Sequence, residues 1–577
     1  MKILRAGKKI IPALCLGLLT VAATGDADEA LFIDAGESSG LDFVHFNGMS
    51  GELYLPEIMG AGVAVFDFDR DGDLDIYLLQ GHMIGPGKSM ADAIMPPPAN
   101  TSLIDRLYRN DTKVGAAALH FKDVTEKSGI RSGGYGMGVA AGDINNDGWP
   151  DLYISNLGHN QLWLNNGDGT FKDITEKAGV DDERWSVSAA FVDINLDGWL
   201  DLYVGNYVAY DMENPKPCRS ATTARDYCGP QAFEPATDRL FLNRGDGSFA
   251  DISEKSGITQ VFGGALGVIA ADFNGDHWPD IYVGNDGMAN QLWINQQDGT
   301  FEDTAPLAGV SVNRYGMPEA SMGVVAADFD GDGDEDLFMT HLVRETNTLY
   351  VNDGTGWFDD KTAEIGLGLA SIPYSGFGTA WLDIDNDGWL DLLIVNGAVT
   401  LFESHEPTDK VFPLDRRNQL FANDHGKAFI DISDLAGDAF QFSEVSRGAA
   451  TGDFDNDGDI DLVISNNSGR ARLLLNQVGN KNAWLGVSVL DATGKYHVTG
   501  SKVALIRENR APLWRRVRTD GSYASASDPR IVFGLGGSRG PQTIEVTWPG
   551  GERERWSALA ANRYHELRRD SGIKTGQ

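Results

Sequence analysis

Cysteine is nearly absent from this chain of 577 residues, which has three in all and no CxxC or CxxCH pair among them. That excludes a zinc ribbon, covalent haem attachment and a small scaffold stapled by disulfides. Positive charge is also scarce: 47 Lys and Arg face 84 Asp and Glu, for a formal net charge of −37. Charge of that sign repels phosphate backbones, so nucleic acid is not an expected partner. HExxH, GxSxG and P-loop strings are missing, as is any Ser/His/Asp set, so the commonest hydrolytic and nucleotide-binding chemistries have no signature here. Beyond the first two dozen residues there is no long apolar run, and no transmembrane segment is expected in the mature chain.

What is present points to an exported β protein. Hydrophobic residues make up 42% of the chain, with 13 Trp, 16 Tyr and 26 Phe, enough for a core and too many for a disordered acidic polymer. The 70 glycines suggest many turns. Residues 1–23 read as a signal peptide, with Lys2, Arg5, Lys8 and Lys9 ahead of an apolar run from Ile10 to Ala23, too short for a comfortable span. A secreted, periplasmic or extracellular location is therefore expected, an uncleaved anchor being the alternative. Cys218 and Cys228 remain after cleavage, ten positions apart. In an oxidising compartment a local disulfide follows; two free thiols are the alternative.

An internal repeat dominates the rest. The string D-x-[DN]-x-D-G-x-x-D occurs as DFDRDGDLD, DINNDGWPD, DINLDGWLD, DFNGDHWPD, DFDGDGDED, DIDNDGWLD and DFDNDGDID, with starts 50 to 79 residues apart. Its positions 1, 3, 5 and 9 are Asp67, Asp69, Asp71 and Asp75; Asp143, Asn145, Asp147 and Asp151; Asp193, Asn195, Asp197 and Asp201; Asp272, Asn274, Asp276 and Asp280; Asp328, Asp330, Asp332 and Asp336; Asp383, Asp385, Asp387 and Asp391; and Asp453, Asp455, Asp457 and Asp461. Calcium takes six to eight oxygen ligands, and oxygens at alternate positions of a tight turn converge on one point. Gly at position 6 would supply the turn, and the carboxylate at position 9 would close the shell. An EF-hand would need a Glu at position 12, which here falls in an apolar run. Up to seven Ca2+ are expected, the loop at Asp272 binding most weakly because His277 replaces the turn Gly.

Each loop lies between apolar strands such as GVAVF and DIYLL, followed by a third strand (RLYRN, QLWLN, RLFLN, QLWIN, TLYVN, QLFAN, RLLLN) and a fourth such as FKDVTEKSGI. Only six fourth strands follow the seven loops; FIDAGESSGL at 32–41 matches the missing one. An N-terminal strand that completes the last repeat would remove both open edges. The pattern predicts an all-β chain: a seven-bladed β-propeller over 31–479, a small β domain over 480–570 and a tail over 571–577.

The loops with their preceding strands resemble the FG-GAP repeats (VCBS-type repeats) of integrin α-subunit propellers. Residues 482–556 carry NAWLGVSVL, TGSKVALI, RTDGSYASASDPRIVFGLGG and TIEVTWPGG, and the whole arrangement resembles the cartilage acidic protein family, which ends in an ASPIC/UnbV domain. The resemblance implies an extracellular calcium-binding protein. His277 and long insertions in some repeats depart from the pattern.

Strand parity puts the metal loops on one face and the second-to-third connections on the other. Three of those connections, 80–105, 206–238 and 396–418, are long, and inserted loops on a rigid scaffold are where binding concentrates. Gln80, Asn156, Asn206, Asn285, His341, Asn396 and Asn466 open this face. They read either as turn chemistry or as a ligand-contacting ring joined by His82, His159, Tyr207 and Arg447. The C-terminal arginines Arg507, Arg510, Arg515, Arg516 and Arg518 read as docking onto the acidic repeats or as capture of an anionic glycan. A monomeric adhesion or interaction scaffold for an extracellular or envelope glycan or protein is the expected function. A lyase or hydrolase acting on polysaccharide in the central funnel is the alternative.

Overall fold

The computed structural model describes residues 30–99, 101–113, 116, 118–220, 224–401 and 412–576. The expected signal segment 1–23 and residues 402–411 of the third insertion lie outside the described residues. The described chain is all-β, with helices of no more than five residues, and no helix among the described residues is long and apolar enough to cross a membrane.

Seven antiparallel sheets of four strands account for the repeats. Their first strands are Val63–Phe66, Gly136–Gly142, Ser186–Val192, Ala265–Ala271, Val324–Ala327, Gly376–Leu382 and Ser446–Gly452. These strands touch one another in chain order, and Ser446–Gly452 touches Val63–Phe66. Their small apolar residues follow from burial on both faces. A Cβ at Gly138 would fall 2.1 Å from the Val187 carbonyl oxygen of the next sheet, and one at Gly323 2.0 Å from that of Phe377. The last sheet takes its fourth strand from the N-terminus: Phe32–Asp34 pairs with Arg472–Asn476, Phe32 opposite Asn476.

The fourth strands are shorter than the sequence suggests. In FKDVTEKSGI only Phe121–Asp123 is strand; Thr125–Ser128 forms one helical turn that ends at Gly129, φ 78°. The Asp123 carboxylate accepts the Thr125 N–H at 2.9 Å, and the Gly supplies a left-handed stop. Five further copies of this strand, including the N-terminal one, also run for three residues before a helical turn.

Residues beyond 482 build two further sheets, one of five strands and one of three, around Leu485, Val487, Val503, Phe533, Ile544 and Trp548. The five-stranded sheet includes Ile573–Thr575, paired with Arg553–Arg555, so part of the expected tail belongs to the sheet. This C-terminal unit lies against the face of the repeat loops and sends residues 519–527 through the middle of the seven sheets. Thr519 Oγ1 donates to Ala141 O (2.9 Å), and the Asp520 carboxylate accepts the Ala270 N–H (2.7 Å). Ser522 accepts from Val324 N–H and Thr379 N–H, Ala524 N–H donates to Ser188 Oγ, Ser525 Oγ accepts from Val63, and Ser527 Oγ accepts from Thr451. All seven first strands are thereby hydrogen-bonded to one segment. From the opposite side Met49, Tyr54, Ile58, Tyr207, Phe233 and Phe412 pack toward Tyr523 and Ala524 in a single apolar cluster. The middle of the molecule is filled with side chains.

Candidate metal centre

The repeat loop is held by its own carboxylates. In the first copy Asp67 accepts the N–H groups of Asp71 (3.1 Å) and Gly72 (3.0 Å), and Asp71 accepts that of Asp73 (3.0 Å). Asp75, at position 9, accepts Phe68 N–H at 3.0 Å with one oxygen and Asn110 N–H at 2.8 Å with the other. The same two bonds recur at Asp151, Asp201, Asp280, Asp336, Asp391 and Asp461. Position 9 therefore ties the loop to the third strand of its own sheet before it serves any ion.

Four copies bring carboxylate oxygens from three residues within 4.8 Å of one another: Asp67, Asp69 and Asp71; Asp328, Asp330 and Asp332; Asp383, Asp385 and Asp391; Asp453, Asp455 and Asp461. These are the four loops with Asp at position 3. In the other three, Asn145, Asn195 and Asn274 turn their amide N–H onto the position-5 carboxylate at 2.8, 2.8 and 3.2 Å. Burial pushes the position-1 carboxyls up to about 6 at Asp67, Asp143 and Asp193 and about 7 at Asp328, Asp383 and Asp453. The position-9 groups go higher for the same reason, to about 8 at Asp201 and Asp280. Oxygen-only donors, crowded and desolvated, with the Asp69 Oδ1 buried and without a partner, fit a hard divalent cation.

Two features of the loop escape a reading by ligand spacing. Position 4 is left-handed in every copy: Arg70, Asn146, Leu196, Gly275, Gly331, Asn386 and Asn456 have φ between 55° and 83°. Position 6 is left-handed as well, His277 included at φ 71°. The second feature is the Asn that ends each third strand. Asn165 Nδ2 donates to Phe68 O (2.9 Å), Asn243 to Ile144 O (2.9 Å), Asn295 to Ile194 O (2.8 Å) and Asn352 to Phe273 O (2.9 Å). Asn423, Asn476 and Asn110 do the same to Phe329, Ile384 and Phe454. Each bond runs to the loop of the preceding sheet. The invariant final Asn of the third-strand strings was the available signal.

The C-terminal arginines face the loops. Arg515 is half-buried near Asp383 and Asp328, Arg516 pairs with Glu335 at 3.2 Å, and Arg518 donates to Asp520 O. Arg530 bonds Asn456 Oδ1 (2.8 Å) and Asp453 O (3.1 Å), and Tyr564 OH donates to Asp453 Oδ2 (2.8 Å). Arg507 is partly exposed and Arg510 exposed.

On the opposite face the seven polar residues are at most 2% exposed. Gln80 Oε1 accepts Phe46 N–H, and the amides of Asn156, Asn206, Asn285, Asn396 and Asn466 donate to His159 O, Thr237 O, Ala289 O, Arg417 O and Arg470 O. His341 Nδ1 lies 2.6 Å from Ala320 O. Each bonds a neighbouring segment, while Asn156 Oδ1, Asn285 Oδ1, Asn396 Oδ1 and His341 Nε2 are buried without a hydrogen-bond partner among the described residues. Arg447 is buried, bonded to Ile58 O, Gly397 O and Ala398 O and lying 3.8 Å over the Phe377 ring. Tyr207 OH donates to Asp286 at 2.6 Å. His82 is half-buried against Tyr135, and His159, 2.7 Å from Asp181, is exposed. Cys218 and Cys228 form a disulfide in the second insertion.

The sheets, loops and C-terminal unit match known protein families. The FG-GAP-like repeat matches residues 143–204, 231–283, 272–339 and 328–394, and the ASPIC and UnbV family matches 493–574. The chain thus carries FG-GAP-like repeats followed by an ASPIC and UnbV domain. It is similar to cartilage acidic protein 1, being 29% identical to the human protein over 329 residues, 56% of this chain and 47% of that one. The Xenopus tropicalis protein is 26% identical over 319 residues, 54% of this chain and 38% of that one. The chain spans about half the length of the curated relatives it matches. Among solved structures, an Agrocybe aegerita lectin that recognises non-reducing terminal N-acetylglucosamine is 16% identical, with 70% of this chain and 88% of that one covered and a TM-score of 0.40. The BP39L lectin from Burkholderia pseudomallei is 10% identical, covering 73% and 96%, with a TM-score of 0.39.

Proposed function

We propose that this chain is an exported calcium-binding interaction scaffold, built as a closed seven-bladed propeller over 31–479 with its C-terminal unit seated on the metal face. The carrying observation is the set of four loops that each gather three carboxylates within 4.8 Å. A divalent cation is the economical way to hold such groups together at neutral pH. The cyclic contacts of the first strands support closure, and the disulfide fits an oxidising compartment. Asp at positions 1, 3 and 5 would hold Ca2+ with the position-9 carboxylate behind them, and the ion would neutralise the loop. The ligand, a glycan or a protein outside the cell or in its envelope, would dock on the insertion face through the outer surfaces of the long connections, since the polar ring is buried.

Calorimetric titration of chelator-treated protein with calcium tests the first half; uptake of four or more ions with a rise in melting temperature is expected, and no uptake defeats it. Glycan and protein arrays, with and without chelator, test the second; calcium-dependent capture removed by substitutions on the insertions is expected.

A further inference from the structure

A cavity of about 650 Å³ lies between the first two repeat loops and the C-terminal unit. It is far larger than the voids elsewhere along this interface, of about 50 and 110 Å³, and falls in the range of small-molecule sites. Arg70 and Gly148 border it from the repeats, Lys495, Tyr496, His497 and Thr499 from the C-terminal unit. From these walls we infer that the cavity binds a carboxylate-bearing sugar, such as a uronic acid residue.

Some of the polar side chains that meet there, such as Thr519 and Arg530, are engaged in hydrogen bonds, but four are not. Among the described residues no hydrogen bond or ion pair engages the side chains of Arg70, Lys495, Tyr496 or His497, and the buried His497 Nδ1 has no partner. Burial holds that imidazole neutral by lowering its pKa to about 4, so it can accept one hydrogen bond and donate another. Two acidic neighbours are already spent: Asp528 on Arg530 at 2.7 Å and Glu566 on Arg568 at 2.5 Å. The remaining acids of the wall belong to the repeat loops.

Arg70 carries the argument furthest. It occupies position 4, where Asn146, Asn386 and Asn456 each donate to the position-6 carbonyl of the next loop, at Gly198, Gly458 and Gly72. Asn and Gly adopt the left-handed conformation most easily, and Arg does so under strain. Arg70 keeps φ 56° without making the bridge; its guanidinium stacks 5.6 Å over Trp149 and is exposed toward the cavity. Leu196, Gly275 and Gly331 do not make the bridge either, but none of them carries a polar side chain at this position; a strained cationic residue open to a cavity points to a ligand. The planar guanidinium fork matches a carboxylate, Lys495 adds a second cation, and the phenol, imidazole and hydroxyl groups of Tyr496, His497 and Thr499 match sugar hydroxyls.

The inference goes beyond the scaffold reading, whose ligand docks on the opposite face. It is tested by titrating the full chain, saturated with calcium, with D-glucuronic acid, D-glucose and acetate. Saturable binding of glucuronic acid is expected, at least tenfold tighter than that of either control. Arg70→Asn places there the residue found in three other loops, and Lys495→Ala alters an exposed side chain; each should weaken glucuronic acid tenfold or more, Arg70→Asn with a melting temperature no lower than the parent's and Lys495→Ala with melting temperature and calcium uptake unchanged. No saturable binding of glucuronic acid, equal binding of acetate, or full affinity in the double variant would overturn the assignment. Calcium uptake in the same samples reports separately on the scaffold reading.

Discussion

The Asn110 side-chain amide donates to the main-chain carbonyl of Phe454 at 3.2 Å, across 344 residues of chain. It joins the first repeat to the last with the same bond that joins every other adjacent pair. The amide oxygen of Asn110 is used too, accepting Thr112 N–H at 3.1 Å. Asn110→Ala would strand a buried carbonyl and free the turn, which costs about 2 kcal/mol. Urea denaturation of Asn110→Ala beside Asn295→Ala checks this. Similar losses are expected, since the contact between the terminal repeats is built like the internal ones. A negligible loss at Asn110 alone would mean that the first and last sheets are not held together in solution.

Tyr523 sits at the middle of the molecule, fully buried, with its hydroxyl 2.9 Å from Met59 O and its ring edge-on to Phe377 at 4.9 Å. Truncating a buried aromatic ring of this kind costs about 3–5 kcal/mol. Because its segment bonds all seven first strands, Tyr523→Ala should destabilise the repeats and the C-terminal unit together, in one transition. Limited proteolysis should then release fragments from both regions. Loss confined to the C-terminal unit would show that the central segment is a passenger.

Much of this was legible in the sequence, and the gaps have physical causes. Seven copies of a nine-residue string fix the loops and their flanking strands, because ligand geometry and strand alternation both constrain local spacing. The match of FIDAGESSGL to the other fourth strands locates the N-terminal pairing. Asp123 and Gly129 mark the ends of the helical turn in TEKSG, but the short apolar spacing there favours a strand until capping is considered. The bonds of Asn110 and its equivalents, and the path of Ser522–Ser527 through the sheets, join residues hundreds of positions apart. No local pattern announces a partner at that distance. For Gln80, Asn156 and the others of the polar ring, the sequence reads either as turn chemistry or as a ligand-contacting ring; their burial is a property of the packed turn.

Glu57 is fully buried, with its carboxylate accepting Ser50 N–H at 3.3 Å and Tyr227 OH at 3.2 Å, and burial raises its pKa from 4.5 to about 7. The folded state thus holds this proton more tightly than the unfolded chain. The stabilisation is fully present below pH 4.5 and is lost as pH rises through about 7. Asp105 and Asp238, buried and also raised to about 7, act in the same direction. With calcium saturating throughout, Glu57→Gln should match the parent near pH 5 and exceed it near pH 8 by up to about 3 kcal/mol. A stability difference that stays constant across that range would contradict a protonated Glu57.

The seven loops should not contribute equally to metal-dependent stability. Each ion bound at a hundred times its dissociation constant adds about 2.7 kcal/mol, so chelation should lower the melting temperature markedly and calcium should restore it. The largest share should come from the copies at Asp383 and Asp453, where three carboxylates converge and the position-1 groups are nearly inaccessible to water. The copy at Asp272 should give the smallest share. Asn274 removes one charge, His277 holds a left-handed conformation at φ 71°, and its Nδ1 lies 3.6 Å from Asp272 Oδ2, crowding the position-1 carboxylate. Asp→Asn at position 1 of each loop in turn, followed by melting with and without calcium, ranks them. The calcium-dependent rise should shrink least for Asp272→Asn and most for Asp383→Asn or Asp453→Asn. If Asp272→Asn instead abolished the largest part of the rise, charge count and turn strain would not be what sets affinity in these loops.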